Sequence, residues 1–138
     1  MKKVIYTTGA FDIYHPGHIR LLKRAKKFGD YLVVGLSTDK FIESYKGKKP
    51  FNCYNYRKEV LESNRSVDKV IKQETRDKLG NMIKVNADTI VMGDDWKKKG
   101  GIMGKENILK MGKAIVYIPY TKGISSTIIK ERIKNETT

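Results

Sequence analysis

The sequence predicts an α/β fold of the Rossmann-like, doubly wound type, with helices on both faces of a mostly parallel five-stranded sheet. Short apolar runs alternate with amphipathic segments along the 138 residues, which is the pattern of repeated βαβ units. One of these runs, residues 31–36, is almost continuously apolar, as strands buried inside parallel sheets are. Polar, glycine-containing segments follow several of the strands, where ligands of such sheets bind.

The first βαβ unit is predicted from residues 4–36. An apolar strand at residues 4–6 runs into a turn at Gly9. Between residues 17 and 28 apolar side chains such as Leu22 and Ala25 recur at helical spacing among lysines and arginines, and Gly29 ends the pattern. The second strand, residues 31–36, completes the unit, whose crossover should be right-handed.

The rest of the chain continues the alternation. A basic loop is predicted at residues 45–51, and Ser125 or Ser126 is the expected N-cap of the last helix. Further strands are predicted at residues 67–71, 89–92 and 114–118, and further helices at residues 56–63, 77–85, 106–111 and 125–134. We expect one domain over residues 1–138, because this length is too short for two comfortable cores.

The composition of the chain restricts its expected cellular location and its binding partners. Twenty-nine Lys and Arg against 15 Asp and Glu give a formal net charge of +14, which favours partners that carry phosphate without specifying their class. Cys53 is the only cysteine, so an intrachain disulfide is excluded. The N-terminus lacks the apolar core of a secretory signal, and no apolar run could cross a bilayer, so a cytoplasmic protein is expected.

The first polar segment is GAFDIYHPGH at residues 9–18. His15 and His18 lie three residues apart where a helix begins, a place at which free backbone N–H groups already attract anions. Gly9 and Gly17 allow a ligand to approach the backbone on both sides, which favours phosphate binding over a pair of surface or capping histidines. Two imidazoles alone fall short of a zinc site, so no metal ligands are predicted.

Two further segments follow later strands. Asp94 and Trp96 lie just after the strand at residues 89–92, where a carboxylate could bind ribose, a base or a divalent ion, although Gly-Asp pairs also form ordinary turns. Ser125, Ser126 and Thr127 begin the last helix and form a second candidate anion site. Basic residues at 46–49, with Arg57 and Arg65, could complete the surroundings of a polyphosphate.

Taken together, these motifs resemble those of a known family. Residues 9–18 resemble the nucleotide-binding motif of the cytidylyltransferases, a branch of the HxGH nucleotidyltransferase superfamily. The wider resemblance is to the bacterial glycerol-3-phosphate cytidylyltransferases, and it extends through residues 18–25, 29–39, 57–58, 67–71, 92–96 and 123–127. Blocks in this order are more specific than HxGH alone, which adenylyltransferases and class I tRNA synthetases also contain.

The resemblance implies transfer of CMP from CTP to a small phosphorylated alcohol, with glycerol 3-phosphate as the leading acceptor and pyrophosphate as the second product. Mg²⁺ would arrive on the triphosphate, and short relatives of this kind are usually homodimers. His15, His18, Asp12, Lys46 and Arg65 would then be catalytic. The nucleotide-binding residues implied are Gly9, Ala10, Phe11, Gly17, Lys48, Gly93, Asp94, Trp96, Thr121, Ile124, Ser125, Ser126 and Thr127.

Departures from the family pattern leave alternatives open. Tyr120 replaces an arginine before the Gly-Ile-Ser block and cannot supply its guanidinium. Ser66 replaces a common aromatic residue, and residues 73–77 lack the tryptophan expected near the acceptor. Another acceptor, such as a polyol phosphate or phosphocholine, and ATP as donor therefore remain possible. A non-catalytic nucleic-acid-binding protein is disfavoured, because binding by charge alone does not need an HxGH turn.

Overall fold

The computed structural model describes residues 2–119 and 121–136, so the substitution at Tyr120 lies outside the described residues. The elements are β1 Val4–Gly9, α1 Pro16–Lys26, β2 Tyr31–Ser37, α2 Asp39–Lys46, α3 Tyr54–Glu62, β3 Lys69–Gln73, α4 Leu79–Lys84, β4 Ala87–Gly93, α5 Asp95–Lys98, α6 Lys105–Lys110, β5 Ala114–Ile118 and α7 Ser126–Glu136.

The five strands form one parallel sheet in the order β3-β2-β1-β4-β5. The strand order reverses beside β1, because the chain first builds outward through β2 and β3 and then returns to add β4 on the other side of β1. A crevice forms beyond the carboxyl ends of the strands at such a reversal, since the loops leaving β1 and β4 part in opposite directions. The fold class predicted from the sequence is confirmed.

The sheet is covered on both faces, and each face has its own apolar core. On one face Leu22 and Ala25 of α1 and Leu61 of α3 pack on the sheet. On the other face Met82 of α4 and Ile108 of α6 do the same. Because both faces are buried, β2 is buried at every position after Tyr31, which explains its continuously apolar sequence.

The five predicted strands are present, most of them longer than predicted, while two short helices were missed. Helix α2 begins after Thr38, whose hydroxyl accepts a hydrogen bond from the Phe41 amide at 3.2 Å, and ends at Gly47 with φ +75°. The predicted basic loop at residues 45–51 therefore starts two residues too early, since Tyr45 and Lys46 belong to α2. The second missed helix is α5, which directly follows β4.

The last helix begins where the sequence predicts. The Ser125 hydroxyl accepts a hydrogen bond from the Ile128 amide at 3.1 Å, so Ser125 is the N-cap of α7. Among the described residues, no helix combines the length and apolar character that crossing a membrane requires.

Candidate active site

A cleft of about 290 Å³ opens beyond the carboxyl ends of β1 and β4, at the reversal of the strand order. Thr8 and Gly9 of β1 form one side of its floor, and Met92 and Gly93 of β4 form the other. The remaining walls come from the segments that follow these strands and from the start of α7. The lining residues there are Ala10, Phe11, His15, Gly17, His18, Leu21, Asp95, Trp96, Pro119, Thr121, Ile124, Ser125 and Ser126.

The two histidines of the HxGH motif form a stacked pair in this cleft. Their ring centroids are 3.8 Å apart, with an angle of 24° between the ring planes. His15 is the N-cap of α1, and its Nδ1 accepts a hydrogen bond from the Gly17 amide at 3.0 Å. His18 is three residues further on, and its Nδ1 accepts a hydrogen bond from the His15 amide at 3.2 Å. The pair is therefore a capping box built from imidazoles.

These hydrogen bonds fix which nitrogen carries the proton. A neutral imidazole has one N–H, and because Nδ1 of each ring accepts a hydrogen bond, the proton belongs on Nε2. Burial, with a smaller contribution from the neighbouring His15, lowers the pKa of His18 to about 4. Burial also lowers the pKa of His15. Both rings are consequently neutral near pH 7 and present Nε2–H as a donor to an anion.

The stretch between β1 and α1 is held in an unusual backbone conformation. Phe11 and Ile13 have φ of +49° and +50°, a left-handed region that bulky side chains seldom occupy. Asp12 between them is buried, and its carboxylate accepts hydrogen bonds from the Phe51 amide at 2.7 Å and the Asn52 amide at 3.0 Å. Strain of this kind persists only where surrounding contacts enforce it, and it concentrates at functional sites.

Arg57 supplies a second anchor for this stretch. Its side chain is almost fully buried, and its guanidinium donates 2.8 Å hydrogen bonds to the carbonyls of Ala10, Ser37 and Asn52. A further N–H pairs with the Asp39 carboxylate. Arg57 thus joins the ends of β1 and β2 to the segment before α3. The sequence-based hypothesis that Arg57 faces a polyphosphate gains no support, because four of its five N–H donors are engaged inside the protein.

The start of α7 closes the cleft on the side of the histidines. Ser125 and Ser126 line the cleft, and the Ser126 hydroxyl donates to the backbone carbonyl of Asp12. This bond joins the first turn of α7 to the strained stretch before α1. The two anion-binding helix starts that the sequence suggested separately, those of α1 and α7, therefore belong to one site.

A cluster of lysines lies beside the buried carboxylate of Asp12. The Nζ of Lys130, on α7, is 3.6 Å from Asp12 Oδ2. Desolvation lowers the pKa of Lys46, the positive charges of Lys130 and Lys48 lower it further, and Asp12 acts in the opposite direction. These four groups, Lys46, Lys48, Lys130 and Asp12, form what we call the lysine cluster.

Comparison with known proteins identifies the family. The family model "Cytidylyltransferase-like" matches residues 6–132. The chain belongs to the cytidylyltransferase-like family. It is 50% identical to glycerol-3-phosphate cytidylyltransferase of Bacillus subtilis over 134 residues, which cover 96% of this chain and 98% of that protein. It is 43% identical to the protein of that name from Staphylococcus aureus, with 96% of each chain covered.

A solved structure supports the same assignment of the fold. The lipopolysaccharide core biosynthesis protein of Thermoplasma volcanium superposes with a TM-score of 0.72 at 31% identity, covering 88% of this chain and all of the other. The cleft at the strand reversal is accordingly the candidate active site of a cytidylyltransferase, and both HxGH histidines belong to its lining.

The structure brings most of the predicted site residues together. The predicted residues that line the cleft are Gly9, Ala10, Phe11, His15, Gly17, His18, Gly93, Trp96, Thr121, Ile124, Ser125 and Ser126. Asp12, Lys46 and Lys48 lie together in the lysine cluster, and Asp12 contacts α7 at the cleft edge.

Three predicted residues lie elsewhere. Arg65 is exposed in the connection before β3, at the amino end of that strand, whereas the cleft is at the carboxyl ends. Thr127 is exposed on α7 and is not part of the cleft lining. Asp94 is the residue before α5, and its neighbour Asp95 belongs to the cleft lining. Predictions of direct ligand contact at these three positions gain no support from the structure of the chain.

Sequence reasoning missed several contributors. Asp95, which lines the cleft as the first residue of α5, was missed because the start of α5 was not recognised. Thr8, Leu21, Met92 and Pro119 also line the cleft without having been predicted. Their positions at strand ends and on the inner side of α1 were the available signal. Lys130 was missed because a lone lysine on an amphipathic helix resembles any other surface charge.

Proposed function

We propose that this protein transfers CMP from CTP to glycerol 3-phosphate, giving CDP-glycerol and pyrophosphate. The stacked imidazole pair at the start of α1 carries the proposal, since both rings line a cleft of about 290 Å³ and carry their N–H on Nε2. The identity of the acceptor follows from the name of the relatives at 50% and 43% identity, which match over nearly their whole length.

In this reaction a phosphate oxygen of the acceptor attacks the α-phosphorus of CTP. The new P–O bond forms as the bond to the bridging oxygen of the diphosphate breaks, and pyrophosphate leaves with that electron pair. Negative charge grows on the phosphate oxygens, so catalysis depends on donors that are already in position. The Nε2–H groups of His15 and His18 donate to those oxygens, and the α1 and α7 starts add backbone N–H groups. The chain forms no covalent bond to the substrate.

Mg²⁺ is proposed to enter with CTP. Among the described residues there is no cluster of three or more His, Cys, Asp or Glu side chains that could hold a metal ion. Asp95 is the acidic side chain of the cleft lining, and Mg²⁺ often binds through one carboxylate together with substrate phosphates. The donor set therefore fits a triphosphate-bound ion, which supplies charge neutralisation of the leaving diphosphate.

The decisive experiment measures pyrophosphate release with each of the four ribonucleoside triphosphates, crossed with a panel of phosphorylated alcohols. We expect turnover with CTP and glycerol 3-phosphate, and a kcat lowered by on the order of 100-fold or more in His18→Ala. The panel includes a polyol phosphate and phosphocholine as alternative acceptors. Preference for ATP over CTP, or full activity in both His15→Ala and His18→Ala, would refute the proposal.

We also propose that the protein is a cytoplasmic homodimer that binds neither membrane nor nucleic acid in carrying out this reaction. Apolar side chains remain exposed on the helical face formed by α1 and α3: Ile19 is 44% exposed, Tyr56 67% and Val60 39%. Pairing of two copies through this face would cover them. Light scattering after size exclusion tests the assembly, and a monomer at micromolar concentration would contradict it.

A further inference from the structure

We propose that Lys130 of α7 binds the phosphate group of the acceptor, so that one helix holds the nucleotide with its first turn and the acceptor with its second. This inference rests on the proposed function, and it concerns a residue that the HxGH motif does not include. Its basis is the position of Lys130 relative to Ser126, Asp12, Lys46 and Phe51.

Lys130 lies on the same side of α7 as the cleft. It is four residues after Ser126, which lines the cleft, and positions i and i+4 are neighbours on a helix surface. Both residues contact Asp12, Ser126 through the backbone carbonyl and Lys130 through the carboxylate. Asp12 in turn is close enough to His18 to affect its pKa. The Lys130 ammonium therefore lies at Asp12, the residue to which the cleft-lining Ser126 is also bonded.

The present partners of Lys130 hold it loosely. Its Nζ is 3.6 Å from Asp12 Oδ2, which is longer than a direct hydrogen bond. It is also 4.8 Å from the centroid of the Phe51 ring, which is 70% exposed. The Asp12 carboxylate is already the acceptor of the Phe51 and Asn52 amides. An incoming phosphate oxygen can accordingly take donors from this ammonium without breaking a buried hydrogen bond.

The charge of the lysine cluster matches a phosphate monoester. Lys46, Lys48 and Lys130 carry three positive charges, and Asp12 carries one negative charge. The cluster thus has an excess of two positive charges, and a phosphate monoester carries about −1.5 to −2 at pH 7. Burial lowers the pKa of Lys46 most, and repulsion from Lys130 and Lys48 lowers it further. That repulsion is relieved when an anion of this charge binds.

The test compares steady-state kinetics of the full chain with Lys130→Met, Lys130→Arg and a control, Arg132→Gln. Arg132 is on the same helix but 78% exposed and paired with Glu136, so its replacement removes the same charge away from the cluster. We expect Lys130→Met to raise KM for glycerol 3-phosphate by roughly 10- to 100-fold, the size of one charge-assisted hydrogen bond, with KM for CTP changed less than threefold. Lys130→Arg should recover most of the affinity.

The outcomes separate this inference from simpler roles. An unchanged KM for the acceptor, or equal increases in KM for CTP and for the acceptor, would overturn it, and so would a lower melting temperature that Lys130→Arg does not correct. If the wild-type protein does not use glycerol 3-phosphate, inorganic phosphate is titrated instead in the presence of saturating CTP and Mg²⁺. Phosphate should then raise the melting temperature of the wild type and of Arg132→Gln but not of Lys130→Met. Equal shifts in all three would reject Lys130 as a phosphate ligand.

Discussion

At the scale of single residues, the site depends on glycines that leave room for the aromatic rings beside them. Gly17 illustrates this, because a Cβ at that position would lie 2.7 Å from Cε1 and 2.9 Å from Nδ1 of His15. The glycine of the HxGH motif is thus required by contact with the first histidine. Gly9 has a milder constraint, since a Cβ there would be 3.1 Å from Cε2 of the Phe11 ring.

Gly17→Ala should therefore impair catalysis more than stability. Displacement of the His15 ring is expected to lower kcat by on the order of 10- to 100-fold, while the better helix propensity of alanine offsets part of the steric cost. Gly80→Ala in α4 is the matched control, because a Cβ there meets nothing within 4 Å. The control should keep full kcat and gain about 0.5 kcal/mol in unfolding free energy. Equal kcat in both variants would contradict this account of Gly17.

The lowered pKa of His18 predicts a pH dependence of stability. Between pH 6.5 and about 4 the unfolded chain binds a proton on His18 that the folded chain does not bind, so the free energy of unfolding falls as pH falls through this window. His15 acts in the same direction. His18→Gln keeps a hydrogen-bond acceptor at the third helical position but does not titrate.

Urea unfolding from pH 4.5 to 7 tests this prediction. The His18→Gln protein should lose less unfolding free energy than the wild type between pH 6.5 and 4.5. Only His15 of the pair then remains to take up a proton on unfolding. Identical pH slopes in the two proteins would show that His18 has an ordinary pKa in the folded state.

At the scale of elements, the site is assembled by long-range polar contacts between segments that carry no ligand themselves. Arg57, from α3, holds the ends of β1 and β2 through backbone carbonyls. Asp12, from the stretch before α1, binds the segment before α3 by accepting hydrogen bonds from two of its backbone amides. The two side chains cross-link the strained stretch before α1, the α2–α3 connection and the sheet, so that His15 and His18 have a fixed platform.

Arg57→Lys tests the importance of this platform. Lysine keeps the charge but loses the forked donors, and we expect a loss of about 2–4 kcal/mol in unfolding free energy, the size of the charge-assisted hydrogen bonds removed. Arg65→Lys is the control, since Arg65 is exposed and should change stability by less than about 0.5 kcal/mol. The readout is the midpoint of chemical unfolding, and similar midpoints in both variants would refute the anchoring role of Arg57.

At the scale of the whole molecule, the fold gathers part of the chain's positive charge and its hydrogen-bond donors at the cleft. A net charge of +14 attracts every polyanion, but the sheet reversal and the α1 and α7 starts concentrate donors in one cleft. Selectivity for a nucleotide should therefore come from the cleft, while the remaining surface charge contributes attraction that salt screens.

CTP with Mg²⁺ should stabilise the folded protein at physiological salt. At a concentration 100 times the Kd, ligand binding adds about 2.7 kcal/mol, which corresponds to a rise in melting temperature on the order of 10 °C for a chain of this size. UTP and ATP should give smaller shifts, and duplex DNA should give a shift only at low salt. Melting curves in 20 and 200 mM salt check this, and a larger effect of DNA than of CTP at high salt would contradict it.

Local sequence was sufficient for the five strands, five of the seven helices of the described residues, the HxGH turn and the cap at Ser125, because periodicity, glycines and capping residues act over a few positions. It also led to the family, through motifs that the family match over residues 6–132 confirms. The short helices α2 and α5 were missed because they have only eight and four residues, too few for a periodic pattern to stand out.

Only the tertiary structure decided which charged groups face the cleft. Asp95 lines it, Arg57 is hydrogen-bonded inside the protein, Arg65 is exposed before the amino end of β3, and Lys130 joins the lysine cluster from the last helix. The physical reason is that an arginine or lysine has the same local pattern whether it is solvated, buried or bound. Its role is fixed by partners that are often distant in sequence. Asp12 and Lys130, for example, are 118 positions apart, and folding brings their charged groups to 3.6 Å.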